Sequence, residues 1–278
     1  MSEPVRVISL YSGSGGNSTY IRAAGTSILI DAGKSARALC ASLRRIGVEP
    51  EEISAIFITH EHSDHVSALE VLTKKHPIPI HMVRGCAEHF CAKRELPISA
   101  CICTHPPLFS EQVGALTVTS FPTPHDSHAS VGYRITFSDG EGAHHIGFAT
   151  DIGYVSEEIR AGLLGCEAVV LESNHDPDML MKGPYPYDLK RRVASRRGHL
   201  SNRECADFAA TLAANGTRGI LLAHLSKENN IPDLALDETR SAVSDPRVSV
   251  LAADPDLPVE LILEASEEDF DFEREMPL

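Results

Sequence analysis

The chain has 278 residues, 42% of them hydrophobic, enough to bury the core of one large domain. No apolar run approaches the roughly 18 residues needed to span a bilayer, and "MSEPVRVISLYSG" enters strand-like alternation without a signal-peptide core. Seven cysteines without framework spacing fit reduced thiols in a cytoplasmic protein, and a net charge of −14 argues against binding nucleic acid by bulk charge alone.

In chain order, "VRVISLYS", "STYIRA", "SILIDAG" and "ISAIFITH" read as short strands, with helical patterns at 35–46, 64–75 and 85–94. "SGSGGNST" at 12–19 is a turn between the first two strands and lacks the context of a dinucleotide fingerprint. Its glycines serve turn geometry, or form a backbone nest that accepts phosphate with Ser14 and Asn17 assisting. "CICTH" at 101–105 pairs two thiols across one residue, a weak metal signal without a second pair.

Further strands are expected at 115–121, 130–137, 144–150 and 167–172. Seven basic residues and one acid occupy 182–203, among them Arg191, Arg192, Arg196 and Arg197. A helix begins after Ser201, where "SNRE" is a capping box, and Cys205, Phe208, Ala209 and Leu212 share one face. "GILLA" is a buried strand ending at His224, which by itself reads as a packed core histidine. Two batches of strands without strict alternation with helices predict an α+β fold, two mixed sheets face to face with helices outside. One domain over 1–256 is expected, followed by an acidic, flexible tail over 257–278.

"THEHSDH" sets His60, His62, Asp64 and His65 directly behind the strand "SAIFIT". Imidazoles and a carboxylate suit zinc, iron or manganese, and four in one loop serve two adjacent ions better than one. This H-x-H-x-D-H pattern resembles the signature of the metallo-β-lactamase fold, an αββα sandwich with metals at one edge. The resemblance covers roughly residues 5–250 and implies further ligands His125 in "SFPTPHDSH", Asp151 in "GFATDIG" and His224 in "LLAHLS". It puts His60, His62 and His125 on one divalent ion and Asp64, His65 and His224 on another, with Asp151 bridging. Zinc is the default and manganese the alternative.

Two such ions can activate a bridging water against phosphorus, and the resulting hydroxide would be the nucleophile. The fold also hydrolyses lactams and thioesters, so it does not choose the reaction. "GHLSN" resembles the stretch of tRNA 3′-processing enzymes in which a histidine protonates the leaving oxygen. That implies His199 as proton donor and Glu172, which ends "AVVLE", as the acid that orients it. Arg191, Arg192, Arg196, Arg197 and Ser201 beside it are candidates to hold a polyanion.

No long insertion separates His125 from Asp151 or Asp151 from His224. "SLYSGSGGNSTYI", "ILIDAGKS", "ITHEHSDH", "ESNHD", "GHLSN" and "HLSKENN" together resemble the compact YycJ/WalJ-like group. The resemblance implies a metal-dependent 5′→3′ exonuclease on DNA, with RNA a further candidate substrate and no membrane partner. A small-molecule phosphodiesterase or thioester hydrolase is the alternative. No physical role follows for Asn174 and Asp176, or for "ENN" after His224.

Overall fold

Alternating β-branched and aliphatic residues build two sheets in a computed structural model that describes residues 5–92, 98–140 and 142–261. The first half supplies β1 (Arg6–Tyr11), β2 (Ser18–Ala23), β3 (Thr26–Ile30), β4 (Ala55–Phe57), β5 (Ile80–Val83) and β6 (Ile102–His105). The second supplies β7 (Ser110–Val113), β8 (Leu116–Pro122), β9 (Val131–Ser138), β10 (Ala143–Ala149), β11 (Ala168–Glu172), β12 (Gly219–Ala223), β13 (Ser249–Ala252) and β14 (Val259–Leu261). One sheet runs β14-β1-β2-β3-β4-β5-β6 and the other β13-β12-β11-β10-β9-β8-β7. Both are mixed, as expected: β3 to β6 are parallel, as are β10 to β13, and the remaining pairs are antiparallel.

The strand β11 shows why the sandwich holds. With side chains alternating between faces, Ala168 and Val170 enter the layer between the sheets, beside Phe57 and Tyr133. Val169 and Leu171 point the other way, into a second core with Phe208, Leu212 and Ile159. Burial on both faces explains the unbroken apolar run, and each buried Val or Leu side chain contributes about 1.5–3 kcal/mol relative to exposure. Outside the first sheet lie α1 (Ala36–Arg45), α2 (Ser63–Val66), α3 (Leu69–Lys75) and α4 (Arg84–Ala92). The other sheet is followed by α5 (Glu157–Leu163), α6 (Pro177–Lys182), α7 (Tyr187–Val193), α8 (Asn202–Ala213) and α9 (Pro232–Ala242).

The Ser201 capping box forms as expected, and all four apolar positions read from α8 are buried. The helix expected over 64–75 is instead two, α2 and α3. The Ala68 N–H leaves the helical ladder and donates to the Ala32 carbonyl 2.9 Å away, which breaks the run. The expected domain boundary at 256 falls short of the sheet, because β14 pairs with β1 through Val7, Ile8 and Ser9. Residues 262–278, most of the acidic tail, lie outside the described residues. Among the described residues no helix is long and apolar enough to cross a membrane.

Because β3, β4, β8, β10, β11 and β12 run in a common direction, the residues following them share one rim of the sandwich. His60, His125, Asp151, Glu172 and His224 all occupy such strand ends.

Candidate metal centre

The rim gathers all seven residues expected to hold metal. Ligand atoms of His60, His62 and His125 lie within 4.8 Å of one another, and so do those of Asp64, His65 and His224. Asp151 stands between the two groups. Its Oδ2 is 3.4 Å from His65 Nε2, and its Oδ1 is 3.4 Å from His224 Nδ1 and 3.8 Å from His125 Nε2. Asp151 and His224 adopt φ of +56° and +57°, and Asp31 behind them +63°. Left-handed backbone at non-glycine residues costs on the order of 1–3 kcal/mol each, and here it aims strand-end side chains along the rim.

The donor set suits a divalent cation. His60 Nε2, His125 Nε2, His224 Nε2 and Asp151 Oδ2 are buried without a hydrogen-bond partner in the protein. Orphaned polar atoms of this kind cost about 1–3 kcal/mol apiece unless something satisfies them. Burial, reinforced by neighbouring histidines, pushes His60 well below its usual pKa, which favours the neutral ring that a metal would need. Burial opposes charge on His65 as well, but Asp64, Asp31 and Asp151 outweigh it and raise its pKa. The carboxylates thus concentrate a field that favours positive charge on that side.

Acids behind the rings set their orientation. Asp31, fully buried at the end of β3, accepts from His65 Nδ1 at 2.8 Å and from the Thr59 N–H at 2.8 Å. A carboxylate only accepts, so the Nδ1 proton is fixed and Nε2 faces the rim. Glu172 does the same for two rings, accepting from Nδ1 of His199 at 2.8 Å and of His224 at 2.9 Å. Backbone N–H groups of Ile152 and Leu200 complete its shell. Burial would raise the Glu172 carboxyl, but the two histidines prevail and hold it below the usual range, so it is ionised. Burial likewise lowers His199, and the charge and hydrogen bond of Glu172 more than reverse this.

His199 lines a cleft with Ser14, Asp126, Asn174, Tyr185 and Arg192. The other residues read as substrate contacts divide. Ser14 is exposed in that cleft. Asn17 is buried and committed: its amide donates to the Gly13 carbonyl and to Asp64 Oδ2, and its oxygen accepts from the Gly13 N–H. It secures the turn and the metal loop and is not free to meet phosphate. Gly33 makes that junction possible, since a Cβ there would sit 1.9 Å from the Asp64 carbonyl oxygen. Ser201 is also occupied, its hydroxyl donating to Glu204 at 2.7 Å within the helix cap.

The basic segment is not a uniform strip. Arg192 faces the cleft and pairs with Asp126 at 2.5 Å. Arg197 donates from Nε and Nη2 to the His125 carbonyl, fixing a candidate ligand. Arg196 lies over the Tyr154 ring at 3.8 Å, and Arg191 is exposed near Tyr187. His128, His144 and His145 have partners of their own in Glu61, Glu167 and Thr136, and His175 joins no candidate ligand group among the described residues.

Sequence reasoning passed over Asp31, whose signal was available: it closes "SILID" as Asp151 closes "GFATD". It also missed Glu61, which accepts from the His128 N–H and ring at 2.9 Å and ties the two histidine loops together. The asparagines left without a role form a knot. Asn230 donates to the Ser173 and Asn174 carbonyls and to Asn202, while Asn174 donates to the His224 carbonyl. The knot joins the segments that carry Glu172, His199 and His224. Asp176 caps α6 by accepting from the Met179 N–H.

Residues 26–224 match the family model described as "Beta-lactamase superfamily domain". The chain is 34% identical over 233 residues to the exodeoxyribonuclease YycJ of Bacillus anthracis, covering 81% of this chain and 84% of that protein. It is 34% identical over 230 residues to the exodeoxyribonuclease WalJ of Streptococcus pneumoniae, covering 81% and 83%. The metallo-β-lactamase fold protein YhfI of Bacillus subtilis superposes with a TM-score of 0.71 at 19% identity, covering 93% of this chain and all of that one. With these matches, and the rim of histidines and aspartates that the sandwich assembles, the chain belongs to the beta-lactamase superfamily, in the group that includes YycJ and WalJ.

Proposed function

We propose that the protein is a divalent-metal-dependent phosphodiesterase that removes nucleotides from the 5′ end of DNA, with RNA as a second substrate. The observation that carries this reading is His199, held by Glu172 through Nδ1 with its ring in the cleft beside Asp151. The exodeoxyribonucleases among the relatives support it. His60, His62 and His125 would hold one ion, and Asp64, His65 and His224 the other, with Asp151 between them and zinc favoured over manganese. Ions held there would supply an acidified water and neutralise charge at the scissile phosphate.

The chain's own groups do the rest. His199 donates a proton to the departing O3′, and Glu172 keeps that proton available near neutral pH. The leaving O3′ belongs to the nucleotide on the 5′ side of the broken bond. A proton donor lining a cleft walled by Tyr185, Leu189 and Val193 therefore favours a 5′-terminal nucleotide in that cleft. Ser14, Arg192 and the exposed Arg191 and Arg196 would meet the flanking phosphates. Seven free thiols favour a cytoplasmic setting.

A second reading, a small-molecule phosphodiesterase or thioester hydrolase, draws on the ion pair of Arg192 with Asp126, which reduces the free positive charge at the cleft. Incubation with 5′- and 3′-labelled DNA and RNA in Zn²⁺ or Mn²⁺ separates the two. Immediate release of the 5′ label as a mononucleotide is expected. Hydrolysis of small diesters or thioesters with nucleic acid left intact would replace the first reading by the second.

A further inference from the structure

The "CICTH" segment takes no part in the rim, yet the fold gives it partners. β6 is the edge strand of one sheet and β7 the edge strand of the other. Alternation puts Cys103 and His105 on one face of β6. Cys103 pairs in register with His81 of β5, which stacks on Phe57 at 4.6 Å. His105 stacks on Phe109 at 4.1 Å. These stacks hold His81 Nδ1 and His105 Nε2 3.0 Å apart, and ligand atoms of His81, His105 and Glu111 all lie within 4.8 Å of one another. Two ring nitrogens that close can share one proton, or both can reach one ion at the usual Zn–N distance of about 2.0–2.1 Å.

We propose a metal site separate from the rim, in which His81 Nδ1, His105 Nε2 and the Glu111 carboxylate hold a zinc-class divalent ion. Two imidazoles in the ligand set favour zinc or cobalt over magnesium or calcium. Cys103 is exposed at the sheet edge, so an ion can enter. Bound there, it would link the edge strands of the two sheets and act structurally, without contact with the residues of the rim.

Variants of these ligands distinguish the site from the rim, whose candidate ligands are other residues. The full-length protein is stripped with chelator, reloaded with Co²⁺ and its bound ions counted per chain. His105→Ala and Glu111→Gln should each bind one ion fewer per chain than wild type, with circular dichroism verifying the fold. Glu111→Gln, at a partly exposed position, guards against a folding defect at His105. Ion counts do not depend on which substrate the rim cleaves, so the result stands whatever the fate of the exonuclease reading. Equal ion counts in wild type and both variants would overturn the proposal.

Discussion

Glu172 Oε1 lies 2.9 Å from Nδ1 of His224 and 2.8 Å from Nδ1 of His199, so one buried carboxylate orients both a candidate metal ligand and the candidate proton donor. Binding and proton transfer are therefore mechanically joined at this atom. Glu172→Gln should weaken metal binding by about 10–100-fold, the usual effect of removing the acid behind a ligating histidine, and also lower kcat. Chelator competition reads the first effect, and unchanged metal affinity would show that His224 does not need Glu172.

His199→Ala should spare metal content and DNA affinity while lowering kcat by about 10²–10⁴, the typical contribution of one general acid. A p-nitrophenyl ester departs without a proton and should lose much less. Equal losses on both substrates would reassign His199 to phosphate positioning.

The arginines should separate by function. Arg191→Ala with Arg192→Ala is expected to raise KM for DNA several-fold and flatten its salt dependence, since exposed charges meet the backbone by counterion release. Arg197→Ala should act differently, because its guanidinium holds the His125 carbonyl. It should cut kcat on small diesters as well as on DNA. Uniform KM effects from all three positions would restore the picture of a single basic strip.

His144 offers a pH-dependent contribution to stability far from the rim chemistry. Slight burial would lower its pKa, but hydrogen bonds and charge from Glu167 and Asp139 raise it. A folded pKa above the unfolded value near 6.5 stabilises fully below that value and fades as pH rises through the folded one. His144→Gln should therefore lower Tm at pH 5.5 and have little effect at pH 9. The group is partly exposed, so the shift should be small and shrink with salt. A larger destabilisation at pH 9 than at pH 5.5 would contradict the ion pairs.

What the linear chain determined by itself is the first loop of candidate ligands at the rim. His60, His62, Asp64 and His65 are neighbours in sequence, so their chemistry marks them locally, whereas His125, Asp151 and His224, each closing an apolar strand, are implied by the resemblance to the metallo-β-lactamase fold. The layer behind them was decided only by tertiary structure. Asp31 is 34 positions from His65, Glu172 is 52 from His224, and Arg197 is 72 from the His125 carbonyl it holds. An orienting partner need only be an acceptor or donor at the right place, and many residue types at many positions qualify, so no local pattern singles it out. Strand order and the common direction of β3, β11 and β12 choose which acid meets which ring. The same folding committed Asn17, which looked free in sequence, to its turn, and held Ser201 in the helix cap read from "SNRE": a buried amide or hydroxyl takes a nearby partner rather than remain unsatisfied.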